Sequence, residues 1–308
     1  MARLKRVLVT GASGFIGQAA VAGLQACGFE VHGSGRAMAP PGFAGDQWHS
    51  ADLLDAAGRA ALLAAAAPSH LLHLAWEARP GIYRDSPENA AWAGASLELL
   101  ERALDAGVER VLGIGTCFEY GASAKPCIEM VTPCRPRTVY GEAKLQAAEG
   151  FAAAAEAGAG VAWGRVFFPF GPGEPASKLI PSLIRTLAAG QDFPCSHGEQ
   201  LRDFIYVEDL AAAIAAVLDS DLTGCVNLGS GEPRSLRSVI EFFARRLGAE
   251  QRVHYGARAV SGADADTMIV ADIGRLREGT GWRPAIGFEA GAERSLAWWR
   301  QRLEGSAA

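Results

Sequence analysis

One short run near the N-terminus constrains the fold more than any other part of the chain. Residues 7–17 read VLVTGASGFIG, an apolar strand that passes directly into three glycines spaced three apart and then into a helix. Gly11 permits a tight turn, Gly14 lets the backbone approach a diphosphate, and Gly17 packs the helix against the strand. The helix N-terminus also offers unpaired N–H groups to phosphates. The run therefore predicts a dinucleotide-binding loop. Its predicted contact residues are Gly11, Ser13, Gly14, Phe15, Ile16 and Gly17.

The composition limits the kind of protein this is. The chain has 308 residues, 49% of them hydrophobic and 20% charged, which suits one large or two moderate globular domains. A formal net charge of −5 without a basic stripe argues against a nucleic-acid partner. The N-terminus does not resemble a signal peptide, and no apolar run reaches membrane-spanning length. We therefore expect no membrane association and a cytoplasmic location.

The cysteines are scattered and form no CxxC pair. They lie at positions 27, 117, 127, 134, 195 and 225. This spacing predicts free, mostly buried thiols, with neither disulfides nor a metal site. Only Cys117 lies where chemistry is expected.

The first half of the chain alternates short apolar strands with helices. The predicted strands cover residues 6–10, 31–34, 47–50, 70–75, 110–115 and 161–167. The predicted helices cover residues 16–27, 54–67, 88–107 and 139–157. This alternation is typical of an α/β protein with a Rossmann-type doubly wound parallel sheet, covered by helices on both faces. A ligand is then expected outside the carboxyl ends of the strands.

The pattern changes near residue 168, where the sequence reads FPFGPG. Beyond it we predict helices at 178–189, 208–219, 235–248 and 287–303, strands at 203–207 and 225–228, and a loop-rich stretch before the last helix. We therefore expect an NAD(P)-binding domain of residues 1–167 and a smaller, mainly substrate-binding C-terminal α/β domain of residues 168–308. Elements near 203–228 are expected to return to the first domain.

A series of short motifs resembles the extended short-chain dehydrogenases/reductases, the group that includes nucleotide-sugar epimerases, dehydratases and ketoreductases. Besides the glycine loop they are Asp52-Leu53, His73-Leu74-Ala75, Thr116 with Tyr120-Gly121, Tyr140-Gly-Glu-Ala-Lys144, Gly171-Pro172-Gly173, RDFIYVED at 202–209 and NLGSG at 227–231. None of these is decisive alone, but their order and spacing are specific. The resemblance covers essentially the whole chain and implies an NAD(P)-dependent enzyme.

The predicted catalytic residues are Thr116, Tyr140 and Lys144. Tyr140 and Lys144 lie four residues apart in a predicted helix and so share one face. A nearby ammonium favours the ionised phenol, so we expect Lys144 to lower the pKa of Tyr140. Tyr140 then exchanges a proton with the substrate. The resemblance implies that Lys144 also holds the nicotinamide ribose and that Thr116 hydrogen-bonds the reacting oxygen.

The resemblance also bears on the choice of dinucleotide. Family members that use NAD usually close the second strand with an acidic residue, and this chain has Gly35 followed by Arg36. A glycine leaves room for a 2′-phosphate, and a guanidinium can pair with that phosphate. We therefore expect NADP(H) to be favoured over NAD(H). The other predicted cofactor contacts are Asp52 and Leu53 at the adenine, Leu74, Ala75, Tyr140 and Lys144.

The residues after Thr116 bear on the reaction. Dehydratases of this family carry adjacent acidic residues there, whereas this chain has Cys117 and Phe118, which cannot do that acid–base work at neutral pH. Glu119, one step further, is expected to point elsewhere. Two reactions remain, reduction of a 4-keto nucleotide sugar with NADPH and 4-epimerisation of a nucleotide sugar with NAD. The NADPH-like end of the second strand favours the reductase over the epimerase. Trp76 and Phe168 give weaker support, because bulky side chains at these positions restrict rotation of the sugar.

A sugar diphosphate needs cationic partners, and the resemblance supplies candidates. Arg202 matches the family arginine that contacts the diphosphate, Lys178 stands where the family contacts the nucleotide, and Arg258 is a weaker match. Asp203 and Asp209 are expected to be structural, as caps of the helix that follows. The predicted substrate contacts are Trp76, Cys117, Phe118, Phe168, Lys178, Arg202 and Arg258.

Two further expectations concern partners. A reductase of a non-nucleotide carbonyl compound is a second alternative, because such an enzyme needs neither Lys178 nor Arg202. The family usually pairs through the helices near 88–107 and 139–157, so a homodimer is expected, and an exposed apolar stripe on those helices supports it if present.

Overall fold

The structure is a computed structural model that describes residues 5–79, 81–260 and 267–305. Its strands are β1 Arg6–Thr10, β2 Glu30–Gly35, β3 Trp48–Ser50, β4 His70–His73, β5 Arg110–Thr116, β6 Val161–Val166, β7 Phe168–Phe170, β8 Phe193–Pro194, β9 Leu201–Tyr206, β10 Gly224–Leu228, β11 Pro233–Ser235, β12 Val253–His254 and β13 Met268–Ile269. Its helices are α1 Phe15–Ala26, α2 Ala56–Ala66, α3 Glu88–Asp105, α4 Val139–Glu156, α5 Leu179–Ala188, α6 Val207–Leu218, α7 Leu236–Leu247, α8 Gly274–Thr280 and α9 Phe288–Gly305.

A seven-stranded parallel sheet forms the larger lobe of the described chain. Its strand order is β10-β6-β5-β4-β1-β2-β3, so the order reverses between β1 and β4. Both faces of the sheet are covered, and the neighbours Leu8 and Val9, on opposite faces of β1, are both fully buried. The predicted doubly wound parallel sheet is confirmed. Ligands of such sheets bind where the strand order reverses, at the carboxyl ends of the strands.

Each face of this sheet has its own apolar core. On one face α1, α6 and α8 pack against the strands, with Leu24 and Ile214 among the buried residues. On the other face α2, α3 and α4 pack, with Leu62, Leu99 and Phe151 among the buried residues. These layers fix the ends of β1, β4 and β5 relative to the start of α4.

A smaller sheet of β11, β9 and β13, with β7 paired to β9, forms the core of a second lobe with α5, α7 and α9. The chain returns from it to the larger lobe through α6, which packs on α1, and through β10, which pairs with β6. The strand at 203–207, predicted within the returning segment, lies in the smaller sheet instead. None of the helices in the described ranges is long and apolar enough to cross a membrane.

The stretch between α7 and α9, predicted to be rich in loops, contains β12, β13 and α8. Part of that stretch, residues 261–266, lies outside the described residues. Strands of two or three residues, such as β7, β8 and β11, were also not predicted. Such short segments form through pairing with distant strands and show no periodicity of their own.

Asp203 and Asp209 are buried, but their predicted role as helix caps is wrong. The first turn of α6 has no side-chain cap. Each carboxylate instead accepts hydrogen bonds from the backbone of a distant loop, which satisfies buried N–H groups there. The backbone donors are Ser230, Gly231 and Ala271 for Asp203, and Ala285 and Ile286 for Asp209.

Candidate active site

The glycine loop lies at the carboxyl end of β1 and is closely packed. Gly11 has φ +71°, and a Cβ atom there would lie 2.9 Å from the backbone nitrogen of Ala75. A Cβ at Gly17 would lie 2.2 Å from the carbonyl oxygen of Gly11. Gly14 is the N-cap of α1, and no described side chain caps that helix, so its first N–H groups remain available to phosphate oxygens. The loop therefore fits the diphosphate of a dinucleotide cofactor.

The end of β2 is more crowded than the sequence implies. A Cβ atom at Gly35 would lie 3.1 Å from the Trp48 indole and 3.3 Å from the Ser13 hydroxyl. The indole N–H of Trp48 donates to the carbonyl of Ala37 at 3.1 Å, which holds the ring in place. The expectation that Gly35 leaves free room is therefore only partly correct, since Trp48 occupies much of the adjacent space. Arg36 is exposed next to it.

A carboxylate that was not predicted from the sequence lies near Arg36. Glu77 is 7% exposed and accepts hydrogen bonds from the backbone and side chain of Arg79 at 2.9 and 3.0 Å. Burial works to raise the pKa of Glu77, but the hydrogen bonds from Arg79 and the charges of Arg79 and Arg36 lower it below its usual value. The guanidinium predicted to bind a 2′-phosphate therefore already interacts electrostatically with a carboxylate.

The two predicted adenine contacts differ in exposure. Asp52 is exposed, and its Oδ1 accepts a hydrogen bond from the backbone of Leu54 at 3.0 Å. Leu53 is 5% exposed and packs in the core with α2 and α3. Their contacts with adenine stay predictions.

Thr116, Tyr140 and Lys144 come together at the carboxyl end of β5. Thr116 is the last residue of β5, and Tyr140 and Lys144 lie in the first two turns of α4. Lys144 is 3% exposed, and its Nζ donates to the carbonyl of Ile114 at 2.7 Å. Burial lowers the pKa of Lys144 to about 7, against the opposing charge of Glu119.

The pKa of Tyr140 is shifted in the opposite direction from the one that the sequence predicts. Burial raises the pKa of its phenol, the neighbouring Tyr83 and Glu119 add to that, and hydrogen bonding with Thr116 opposes it. The expectation that Lys144 lowers this pKa is therefore wrong for the protein alone, because desolvation of the phenolate outweighs the other effects. Tyr140 stays a neutral phenol, which is the form that donates a proton.

Two aromatic rings enclose Tyr140. The Tyr83 ring lies edge-on to it with centroids 4.9 Å apart, and the Trp76 ring lies edge-on at 6.3 Å. The loop that carries Tyr83 is tied to α4, because the Tyr140 N–H donates to the carbonyl of Arg84 at 3.0 Å. Tyr83 was not predicted from the sequence. The one feature of the sequence that could have indicated a role for Tyr83 is its position in the segment after β4. The carboxyl end of β4 adjoins the site.

A second aromatic pair lies between two guanidinium groups. The rings of Phe118 and Phe168 have centroids 6.0 Å apart. The Arg84 guanidinium lies 5.1 Å from the Phe118 centroid, and that of Arg202 lies 5.6 Å from the Phe168 centroid. Arg202 is 4% exposed and donates to the carbonyl of Leu201. Three of the predicted substrate contacts, Phe118, Phe168 and Arg202, therefore lie together.

Lys178 reaches the same region from the start of α5. Its ammonium lies 5.3 Å from the centroid of Tyr83, the ring that packs on Tyr140. Glu174, which was also not predicted, is 8% exposed, and burial raises its pKa to about 8 while Lys178 opposes that shift. Arg258 lies elsewhere on the smaller lobe, where it is exposed and its N–H donates to the carbonyl of Cys195. Its substrate contact stays a prediction.

The residues after Thr116 turn into the core. Glu119 is fully buried, and its carboxylate accepts hydrogen bonds from Arg165 Nε at 2.7 Å, Trp163 Nε1 at 3.0 Å and the Thr116 N–H at 2.9 Å. These three hydrogen bonds hold the carboxylate in the core. Cys117 is 1% exposed, and burial raises the pKa of its thiol, so the thiol stays protonated. Its contact with substrate stays a prediction.

All six cysteines are free, and among the described residues no group of three or more His, Cys, Asp or Glu side chains is arranged to hold a metal ion. The polar groups brought together at the site are the side chains of Thr116, Tyr140 and Lys144, with aromatic rings packed around them.

Comparison with known proteins identifies the family. The model of the NAD dependent epimerase/dehydratase family matches residues 7–229. The dTDP-6-deoxy-L-talose 4-dehydrogenase (NAD(+)) of Aggregatibacter actinomycetemcomitans is 31% identical over 177 residues, which cover 56% of this chain and 64% of that protein. The UDP-glucuronate 4-epimerase of Thermodesulfobacterium geofontis is 28% identical over 246 residues, which cover 77% of this chain and 74% of that protein.

A solved structure agrees with these relatives. The UDP-glucose 4-epimerase of Thermus thermophilus, determined in complex with NAD, superimposes with a TM-score of 0.81 and 25% identity and covers 96% of this chain and 99% of its own. The glycine loop, the doubly wound sheet and the match over residues 7–229 agree, and the resemblance to the extended short-chain dehydrogenases/reductases is confirmed. This chain belongs to the NAD dependent epimerase/dehydratase family of nicotinamide-dependent enzymes.

Proposed function

We propose that the protein reduces a 4-keto nucleotide sugar, with NADP(H) favoured and Tyr140 as the proton donor. The observation that carries this proposal is the phenol of Tyr140 beside the hydroxyl of Thr116, with a cysteine and a phenylalanine at the two positions after Thr116. A phenol is neutral at pH 7 and can donate its proton to a carbonyl oxygen that a neighbouring hydroxyl also hydrogen-bonds. Residues 1–167 would bind mainly cofactor, and residues 168–308 mainly substrate.

The proposed mechanism assigns one task to each residue. A bound nicotinamide cofactor supplies the hydride that adds to the carbonyl carbon. Thr116 and Tyr140 hydrogen-bond the carbonyl oxygen, and Tyr140 transfers its proton to that oxygen as the carbon is reduced. Lys144 holds the nicotinamide ribose, as the family implies. Trp76 and Tyr83 pack edge-on against the phenol ring and hold its orientation.

Dehydration finds no support at this site. It requires an acid and a base that remove the elements of water from the sugar, and the positions next to Thr116 carry a buried thiol and a phenyl ring. The nearest carboxylate, Glu119, is bound by Arg165 and Trp163 inside the core. The pair of carboxyl groups that a dehydratase places there is replaced by Cys117 and Phe118.

The nucleotide is proposed to bind where Arg202 and Lys178 lie. With NADPH present, we expect at least one of UDP, dTDP, CDP and GDP to raise the melting temperature, since a ligand at 100 times its Kd stabilises by about 2.7 kcal/mol. Arg202→Ala should remove most of that shift. Arg185→Ala, on the exposed side of α5, is the matched control and should keep it. No shift with any of the four would favour the reductase of a non-nucleotide carbonyl compound.

The cofactor preference is tested by binding. We expect NADPH to bind at least about tenfold tighter than NADH, a difference of about 1.4 kcal/mol, and Arg36→Ala to remove most of it. Fluorescence titration with each cofactor measures both constants. Because Glu77 faces Arg36, Glu77→Gln should increase the preference for NADPH. Equal affinities for the two cofactors in the wild-type protein would contradict the proposal.

The second candidate is a 4-epimerase that retains NAD. The observation in its favour is Glu77, whose carboxylate partly neutralises Arg36 and so weakens the case for a 2′-phosphate. The same titrations distinguish the epimerase from the reductase, provided that the purified protein is first analysed for bound nucleotide. Protein that releases NAD⁺ on denaturation would favour the epimerase, and protein that is isolated empty and binds NADPH would favour the reductase.

A homodimer through α3 and α4 and a cytoplasmic location also stay proposals. The apolar stripe that would support the dimer is weak, because among the described residues Val139 is the one large apolar side chain on these two helices that is exposed. Small residues such as Ala90, Ala91 and Gly94 form part of the exposed face of α3 instead.

A further inference from the structure

Trp76 is held rigidly, although it lies in a loop after β4. Its indole N–H donates to Oδ1 of Asn89 at 2.8 Å, and its ring is stacked on that of Trp92, with centroids 6.2 Å apart and planes 29° apart. Asn89 is fixed in turn, because its Nδ2 donates to the carbonyls of Tyr83 and Ser86. The plane of the Trp76 indole is therefore set by its neighbours.

The face of this indole meets the catalytic lysine. Lys144 Nζ lies 3.8 Å from the Trp76 ring centroid, the geometry of a cation–π interaction. The same Nζ donates to the carbonyl of Ile114 at 2.7 Å. An ammonium has three N–H donors, so these two contacts fix its direction and leave a donor for a ligand. The same indole lies nearly perpendicular to the Tyr140 ring, with centroids 6.3 Å apart, so one side chain contacts both members of the proton-donating pair.

We propose that Trp76 is a positioning residue that orients the Lys144 ammonium and excludes water from it. The inference rests on the proposed function in one respect, that the ligand of Lys144 is the nicotinamide ribose. In the related enzymes implied by the resemblance a small residue is more usual after His73-Leu74-Ala75. Here the bulk of Trp76 replaces the water that would otherwise solvate the amine.

Among the titratable groups around Lys144, the lysine itself is the group that we expect to change charge near neutral pH. Burial lowers the pKa of Lys144 to about 7. On β4, His73 stays neutral because burial lowers its pKa to about 3. Glu119 is ion-paired with Arg165, and Tyr140 remains a phenol because burial raises its pKa. The protonated form of Lys144 therefore prevails below pH 7 and is lost as the pH rises through 7.

The first test needs neither cofactor nor substrate. The emission of wild-type protein minus that of Trp76→Phe gives the fluorescence of Trp76, which we expect to change between pH 6 and 9 with a midpoint near 7. Lys144→Met should abolish the change. Trp298→Phe is the matched control, because Trp298 has the permanently charged Arg302 at 4.4 Å, and its difference emission should not change over this range. A Trp76 difference emission that is constant with pH would overturn the proposal.

The second test separates positioning from a structural role. Cofactor affinity in the wild-type protein should weaken as the pH rises through 7. Trp76→Phe, which keeps an aromatic face, should keep that midpoint. Trp76→Ala, which admits water to the amine, should shift the midpoint up by at least one pH unit. A loss of affinity at every pH with an unchanged midpoint would show a structural role only and overturn the proposal. Failure of the wild-type protein to bind any nicotinamide cofactor would instead overturn the proposed function, while the first test would still stand.

Discussion

Tyr140→Phe is expected to lower kcat about 10³-fold, within the range that a positioned proton donor contributes. The substitution removes the hydroxyl and keeps the ring, so the packing of Trp76 and Tyr83 around it is preserved. Cofactor affinity should therefore change less than about threefold, because no uniform binding contact is lost. Steady-state rates with a 4-keto nucleotide sugar, together with a cofactor titration, measure the two effects separately.

The adjacent tyrosine provides the control for this experiment. Tyr83→Phe also removes one hydroxyl, but its partner is Arg84, with Arg84 Nε donating to the Tyr83 hydroxyl at 3.4 Å. We expect it to lower kcat less than about tenfold. Because burial raises the pKa of Tyr140, the wild-type rate of reduction should show no loss attributable to phenol ionisation up to pH 9. A Tyr140→Phe enzyme within tenfold of wild type would mean that the proton comes from another group.

Glu119→Gln is expected to lower the free energy of unfolding by about 3–5 kcal/mol, the usual effect of removing one partner from a buried ion pair. The Glu119 and Arg165 side chains are 0% and 5% exposed, so the guanidinium would be left charged and unpaired away from water. Trp163 and the Thr116 amide would also lose a charged acceptor. Denaturant unfolding, with the slope checked for two-state behaviour, measures the change.

An exposed ion pair serves as the matched control for Glu119. Glu293→Gln breaks a pair with Arg246 whose side chains are 47% and 46% exposed, and it should cost less than about 1 kcal/mol. The double variant Glu119→Gln with Arg165→Met should recover part of the loss, because the unpaired charge is gone. A Glu119→Gln protein as stable as the Glu293→Gln protein would show that the buried pair is not a major source of stability.

The larger sheet was predictable because its physical cause is local. Most strands of this sheet are short apolar segments, and a helix that covers the sheet follows β1, β3, β4 and β5, so β1 to β6 and α1 to α4 lie close to their predicted bounds. The grouping of Thr116, Tyr140 and Lys144 was predictable for the same reason. A strand end and the first turns of the next helix meet at one edge of such a sheet.

Tyr83, Glu77 and the pKa of Tyr140 could not be predicted, because tertiary packing decides them. The loop after β4 has no periodicity, and its path depends on a hydrogen bond from the Tyr140 amide to Arg84. The phenol was expected to be acidified by a lysine one turn away. Burial by rings from another loop has the opposite and larger effect. Likewise, the space beside Gly35 depends on Trp48, which reaches it from the neighbouring strand.

Trp48 also has a consequence for redesign of cofactor choice. The familiar route from one nicotinamide dinucleotide to the other is to place an acidic residue at the end of the second strand. Here a side chain at position 35 would begin 3.1 Å from the indole of Trp48, which the carbonyl of Ala37 holds by a hydrogen bond. A single exchange at Gly35 would therefore require the Trp48 indole to move by a few tenths of an ångström. An engineered switch is therefore best designed as a pair of exchanges, with a smaller residue at Trp48 and the acidic residue at Gly35.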